Sequence, residues 1–361
     1  MKILLFTDSL GSGGAQRQLV GLAVLLKSQG HQVKVCTYHN KDFFKSYLDE
    51  NGIDNEVIPG ACNKILRIPY VCKYFILDQS DCIIAYQETP SLVACIAKLL
   101  GCKSILIVSE RNTTQKVGLN ERVRFALYHY ADAIVPNSNS QEKWLRDHYP
   151  WMSKKITTIT NFVDLDLFHY VEHYRKATPV IVVAASIVQS KNALGLIRAV
   201  KILSERCRNF VVEWYGLNED ETQYYRECFS LIEQLSVSEY IHLLPKTKEI
   251  NIKLQEADYF CLPSLYEGTP NVICEAIASG LPVMCSNICD NPQYVREGFN
   301  GILFDPSSPQ DIALSIEKLM EQTDEMYQVF CRNSRALAEQ KLSPNVFLAK
   351  YLNLILNEFK E

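Results

Sequence analysis

Two carboxylates and one lysine are the residues best placed to do chemistry. Glu267 and Glu275 stand eight positions apart in the stretch 262–276, around a glycine, a proline and the start of an apolar helical pattern. On an unbroken helix they would lie roughly 12 Å apart, too far to share one reacting atom as a paired acid and base. That separation suits the two ends of an elongated ligand. The run 260–262 predicts a buried strand, and Gly268 permits a sharp turn or a close approach of backbone to a ligand. Pro270 is predicted at the first helical position, where its missing N–H is harmless. Val272, Ile273, Ala276 and Ile277 form an apolar helical face, and Gly280 and Pro282 end it. The amides of that helix start are a seat for a phosphate. Hydroxyl-binding carboxylates at both ends of an anion seat fit a nucleotide-sugar; two solvated glutamates beside an ordinary helix start fit the same letters, and the spacing leaves both readings open.

Lys191 follows the strand expected at 180–184, where it can reach a diphosphate as a point charge. Gly11-Ser12-Gly13-Gly14-Ala15-Gln16 follows the first strand and opens the first helix. It lacks the third glycine of a dinucleotide loop, because Gln16 takes that place, and the next strand ends without an acidic residue for a ribose. NAD binding is therefore disfavoured, although the loop can still bring backbone to a substrate or be a plain turn. Ser109-Glu110-Arg111-Asn112, after another strand, is a polar tetrad expected at a ligand-facing edge. Asp164-Leu165-Asp166 has the look of a metal-binding pair, yet no further ligands cluster nearby, so a capped turn is expected there.

The elements that must carry these residues alternate from the start. Apolar runs at 3–7, 33–37, 53–58, 82–86, 104–108, 133–136 and 156–159 are separated by helical patterns. A second series of runs begins at 180–184 and continues through 210–215, 240–243, 259–262, 282–285 and 301–304. This alternation predicts parallel sheets covered on both faces. A polar and aromatic stretch without a clear period separates the two series. The expected division is residues 1–166 for the first domain, 167–177 for a linker, 178–340 for the second domain and 341–361 for a final helix. Helices expected over 193–207 and 344–359 complete the two series. Ligands of such sheets bind outside the strand C-termini, where Glu267, Lys191 and Arg111 all fall.

Composition narrows the classes. A chain of 361 residues with 47% hydrophobic residues can build two cores. The net charge of −4 does not fit a nucleic-acid binder. Residues 1–166 carry 19 Lys and Arg against 16 Asp and Glu, a balance of +3, and the remainder carries 18 against 25, or −7. The more basic half can lean on an anionic membrane surface. Thirteen cysteines without a CxxC pair read as small buried hydrophobes in a reducing compartment. No apolar run is long enough to span a bilayer. A cytoplasmic protein is expected, at or near the inner face of the membrane.

Together these pieces resemble the family 4 glycosyltransferases, retaining enzymes of the GT-B fold, over nearly the whole chain. Glu267 to Glu275 is similar to the family's E-x7-E motif. Gly13-Gly14-Ala15-Gln16-Arg17 is similar to its first glycine loop, 160–168 to its linker signature, and 300–306 to its late strand. The resemblance implies two Rossmann-like domains, with the final helix returning to the first. It implies a nucleotide-sugar donor, with a UDP-sugar expected, and a glycan or lipid-linked glycan acceptor, with no cofactor and no metal. By resemblance Lys191 meets the diphosphate, Glu275 the ribose, Glu267 the donor sugar, and the backbone of Gly268, Thr269, Pro270, Asn271 and Val272 sugar and phosphate. Gly13, Gly14 and Gln16 fall on the acceptor side. Ser186 stands where the family usually has an arginine, Arg111 where many members have a histidine, and Pro245 where a glycine is usual. The departures keep two alternatives open: another GT-B reaction such as an epimerase or phosphorylase, and a sugar-nucleotide binder without turnover.

Overall fold

The computed structural model describes residues 1–114, 116–206, 209–217 and 222–358. The ends of the helices expected over 193–207 and 344–359, Cys207 and Phe359, lie outside the described residues. The chain divides into two compact units, Met1–Asn161 with Pro344–Glu361, and Phe162–Ser343.

The first unit is built on a six-stranded sheet of β1 (Lys2–Phe6), β2 (Gln32–Thr37), β3 (Asp54–Val57), β4 (Cys82–Tyr86), β5 (Ile105–Glu110) and β6 (Ala133–Pro136), in the order β3-β2-β1-β4-β5-β6. Every pairing is parallel. The strands are continuous apolar runs because both faces are covered by helices: Ile3–Phe6 and all of β4 are buried. Residues 156–159, expected as a further strand, make only a bridge between Ile156 and Ile134. Their backbone follows β6 without a regular ladder, through Thr157 N–H to Ile134 (3.0 Å) and Ile159 N–H to Pro136 (3.1 Å). The helix Pro344–Glu358 belongs to this unit, where the buried Tyr351 hydroxyl meets that of Tyr86 on β4 at 2.8 Å.

The second unit repeats the plan with β7 (Val180–Ala184), β8 (Val211–Leu217), β9 (Ile241–Pro245), β10 (Tyr259–Leu262), β11 (Val283–Ser286) and β12 (Gly301–Phe304), in the order β12-β11-β10-β7-β8-β9 and again parallel. Period-2 alternation feeds two cores. Ile181 and Val183 of β7 join Trp214, Tyr259 and Cys261 on one face, while Val182 joins Phe260, Leu262 and Ile277 on the other. Each sheet therefore has one point where the strand order reverses, between β1 and β4 in the first and between β7 and β10 in the second.

Residues 167–177, expected as a linker, are fastened to the second unit. His173 Nε2 meets the Ser279 carbonyl at 2.8 Å, Arg175 pairs with Asp324, and the Lys176 N–H donates to Asp258 (2.8 Å). Phe168 is buried beside Val163 and Leu337. The polar and aromatic composition of this stretch conceals how much of it is tied down. Asp164 accepts from the N–H groups of Asp166 and Leu167, both at 3.1 Å, which is the capped turn expected from its sequence. The cysteines at 36, 82, 95, 261 and 274 are buried, and burial raises the thiols of Cys36 and Cys95 to about 12. Trp144 and Tyr149 pack on Phe125 at the edge of the first core.

Candidate active site

In doubly wound sheets the crevice at the reversal of strand order, outside the strand C-termini, is where ligands sit. In the second unit that crevice is flanked by the segment after β7, residues 185–192, and the segment after β10, residues 263–270. The Leu265 N–H donates to the Ser190 carbonyl (2.8 Å) and ties the two segments together. Lys191 ends a short 3-10 turn, Gln189–Lys191, and its ammonium pairs with Glu267 Oε1 across the reversal point. Ser264 Oγ donates to the same oxygen at 2.6 Å. The Glu267 side chain is only 10% exposed and that of Lys191 24%, so the charges face each other in a partly desolvated recess, where electrostatics act more strongly than in open water. Asn192, in the left-handed region at φ 59°, reverses the chain after Lys191 and bonds the Pro306 carbonyl (2.8 Å). At the start of the segment Ala185 accepts from the Trp214 indole at 2.6 Å. A Cβ at Gly216 would lie 1.7 Å from that carbonyl oxygen, so only glycine lets β8 approach so closely.

The helix after the turn is Asn271–Ala278, with Pro270 as its N-cap rather than its first residue. The Pro270 carbonyl accepts the N–H groups of Ile273 (3.0 Å) and Cys274 (3.1 Å). The proline therefore stays outside the helical backbone, and the span from Glu267 to Glu275 is a turn followed by a helix. The helix start is aimed at the same turn that carries Gly268 and Thr269. From Ile273 to Ala278 the helix is buried throughout, with Glu275 at 4% exposure among apolar neighbours. The helix closes on a Schellman motif: the Gly280 N–H bonds Ile277 and the Leu281 N–H bonds Ala276, with Gly280 at φ 86°. Ser186 is half-buried on the β7 side, and its carbonyl accepts from Val188 N–H at 3.0 Å.

The first unit has its own cluster at its reversal point. Gly13 caps the helix Gly14–Ser28, and Gln16 from its first turn donates to Asp8 Oδ1 (2.7 Å). Ser9 donates to the same oxygen (3.2 Å), and Thr7 donates to Gln87 after β4 (2.9 Å). Gln87 holds φ 78°. The tetrad Ser109–Asn112 straddles the end of β5. Arg111 is 7% exposed, with its guanidinium 4.6 Å from the Tyr86 ring, bonded to Asn161 and, at 3.3 Å, to Ser109. Glu110 is buried between the Tyr128 hydroxyl and Arg124; desolvation raises its carboxyl and Arg124 opposes the rise. Arg111 and Glu110 are thus fastened within the unit. Ser264, Asp8 and Gln87 were not among the expected site residues; the rule that ligands gather where the strand order reverses points to all three once the strands are placed.

A family profile described as "Glycosyl transferases group 1" matches residues 170–337, and one described as "Glycosyltransferase Family 4" matches residues 12–167. The chain belongs to the family 4 glycosyltransferases. Relatives of this glycosyltransferase include the N-acetylgalactosamine-N,N'-diacetylbacillosaminyl-diphospho-undecaprenol 4-alpha-N-acetylgalactosaminyltransferase of Campylobacter jejuni, 23% identical over 350 residues, covering 89% of this chain and 90% of the relative. The UDP-Gal:alpha-D-GlcNAc-diphosphoundecaprenol alpha-1,3-galactosyltransferase of Escherichia coli is 28% identical, over 50% of this chain and 49% of its own. Among solved structures, a glycosyltransferase from Rickettsia africae superposes with a TM-score of 0.87 at 17% identity, covering 100% of this chain and 99% of its own. Anabaena HepE in complex with UDP and glucose superposes with a TM-score of 0.83 at 19% identity, covering 98% of each chain. These superpositions carry the GT-B fold.

Proposed function

We propose that this glycosyltransferase moves a hexose or N-acetylhexosamine from a UDP-sugar to a hydroxyl of a lipid-linked or polysaccharide glycan, with retention at the anomeric carbon. The observation that carries the reading is the Lys191–Glu267 pair across the reversal point of the second sheet, with the Asn271 helix start beside it. In this reading Lys191 turns from Glu267 to the donor diphosphate, and the amides at Gly268–Val272 meet sugar and phosphate. Glu275 takes the ribose hydroxyls, and Glu267, held by Ser264, lies along the donor sugar. Ser186 adds a hydroxyl but no charge, which leaves the departing phosphate more dependent on Lys191. Gly13, Gly14 and Gln16 lie on the acceptor side, and Arg111 positions Ser109 and Asn161 rather than touching substrate.

Transfer is read as front-side attack. The acceptor oxygen bonds the anomeric carbon as its bond to the β-phosphate oxygen breaks, and that phosphate oxygen takes the acceptor proton. The protein then supplies alignment and positive charge. The reading needs neither cofactor nor metal. Lys191 and the helix start supply the charge in this reading. No helix among the described residues is long and apolar enough to cross a membrane. The proposed place of action is the cytoplasmic face of a membrane that carries the acceptor. The undecaprenyl-diphosphate-linked substrates of the Campylobacter and Escherichia relatives support that acceptor class.

The test is transfer from UDP-, GDP- and ADP-sugars to polyprenyl-diphosphate-linked sugars, with the anomeric configuration of the product read by NMR. An α-linked product from an α-linked UDP-sugar is expected. Inversion, or turnover only with a non-uridine donor, overturns the corresponding part. Ser186 in place of a second cation favours one other reading, a binder without turnover. Tight UDP binding with no transfer to any acceptor would establish it.

A further inference from the structure

Glu267 holds two donors on one oxygen, and only one of them stays there when Lys191 turns to a diphosphate. The Lys191 ammonium pairs with Oε1, and Ser264 Oγ donates to the same atom at 2.6 Å, the length of a charge-assisted bond from a hydroxyl to a carboxylate. The two donors differ in freedom. The backbone around Lys191 is fastened, with its N–H on the Val188 carbonyl (2.9 Å) and the Ser190 carbonyl taking the Leu265 N–H (2.8 Å). The ammonium itself rides on a flexible four-carbon stem, and the side chain is 24% exposed. Ser264 is fully buried and carries its hydroxyl on a single short bond. The chain is tied on both sides of it. Ser286 Oγ on β11 donates to the Leu262 carbonyl (3.4 Å), and the Leu265 N–H makes the bond to Ser190. The hydroxyl therefore cannot follow the ammonium.

The Glu267 side chain is 10% exposed, and a carboxylate so far out of water is costly unless it keeps partners. Turning Lys191 to the diphosphate removes the counter-ion just when the carboxylate has to lie along the sugar. We propose that Ser264 is a positioning residue of the donor site, which holds the Glu267 carboxylate in place once Lys191 has left it. The proposal rests on the donor-site reading of Lys191 and Glu267, and it adds the group that lets the two act separately. Ser264 does not touch the donor. Its effect passes through Glu267 alone, and so it bears on the sugar and not on the nucleotide. Lys191, Glu275 and the amides at Gly268–Val272 bear on the nucleotide without it.

The experiment uses the full chain as parent, Ser264→Ala, Glu267→Ala and the double variant. UDP affinity is measured by calorimetry. Steady-state transfer is measured from UDP-galactose and UDP-N-acetylgalactosamine to polyprenyl-diphosphate-linked sugars. Ser264→Ala is expected to lower kcat about tenfold or more, the effect of losing a hydrogen bond to a charged group, while UDP affinity stays as in the parent. In the Glu267→Ala background the same substitution is expected to cost nothing further, because the hydroxyl then has no carboxylate to hold. A parent-like kcat in Ser264→Ala overturns the proposal. So does a loss of UDP affinity that matches the loss of kcat, because the whole turn has then loosened. Losses that add in the double variant overturn it as well, since the hydroxyl then acts by another route. A parent that binds no UDP overturns the donor-site reading and the proposal with it. That result is seen before any substitution is made, so it is told apart from a failure of Ser264 alone.

Discussion

Lys191 and Glu267 hold each other in the second crevice, and that pairing dictates how each should respond to substitution. Lys191→Met is expected to lower kcat about 100- to 1000-fold, the usual loss when a preorganised charge at a developing anion is removed, with a smaller change in donor KM. Steady-state kinetics beside UDP titration separate the two, and a parent-like kcat would end its assignment to the departing phosphate. Glu275 sits on a different part of the ligand in this reading. Glu275→Gln is expected to weaken UDP binding about tenfold or more, the value of a charge-assisted bond, with turnover at saturating donor less affected; calorimetry measures it. Glu110 is an internal control. Burial lifts its carboxyl above 4.5, so the folded chain binds that proton more tightly than the unfolded chain. Its contribution to stability is full below the ordinary value and is lost as pH rises through the raised one. Glu110→Gln should flatten that decline in denaturant melts as pH rises above the ordinary carboxylate range, by at most about 1.4 kcal/mol per pH unit for one proton. The placement of Lys191 after β7, and of Glu267 and Glu275 after β10, was legible in the sequence because they lie next to glycine, proline and strand-end signals. The burial of Arg111 was not, since its partners Tyr86 and Asn161 lie 25 and 50 positions away and no local pattern announces them.

The helix Asn271–Ala278 shows how finely an element can be fixed by the residues just beyond its end. Gly280 takes φ 86°, and a Cβ there would stand 2.4 Å from Tyr170 Cδ2. Gly280→Ala is therefore expected to destabilise the second unit by about 2 kcal/mol or more, from the left-handed backbone and the ring together. Pairing it with Tyr170→Ala should remove the steric part and leave the backbone part, as read from thermal unfolding of both variants. Such helix ends were legible because Gly and Pro act locally. Helix starts were less so: the helix after β2 begins only at Lys45, and the helix Leu119–Leu127 gives way to a 3-10 turn. Before Lys45 the Phe44 N–H bonds the Leu10 carbonyl, a loop contact that takes backbone that propensity would have given to the helix. Residues 156–159 carry strand-like letters, but they lie beyond the regular edge of the sheet, and edge membership is a tertiary fact.

At the scale of the molecule, two doubly wound sheets were foreseeable from the strand–helix alternation, whereas their shared strand order is a tertiary fact. Both crossings of the chain between units occur within short spans, after Asn161 and after Ser343, and the Val163 N–H bonds the Leu342 carbonyl at 2.9 Å, so they lie side by side. The Tyr86–Tyr351 hydroxyl contact is the buried polar link of the final helix to β4. Tyr351→Phe strands the Tyr86 hydroxyl and is expected to destabilise the first unit by about 1–3 kcal/mol. The melting of the second unit, followed through bound UDP, should be unchanged. A shift in both would mean that the units melt as one body.

The position of Pro344–Glu358 inside the first unit also reverses the order in which the units can mature on the ribosome. Domains generally fold as their residues emerge, the N-terminal one first. Here residues 162–343 form a contiguous unit that can be complete while the first still lacks its last helix. The first unit to be translated is the last to be finished. Until that helix emerges it exposes the surface of β4 and the Gly14–Ser28 helix that Tyr351 and its neighbours later cover. Nascent chains arrested after residue 343 should accordingly protect the second unit from protease and leave the first one cleavable.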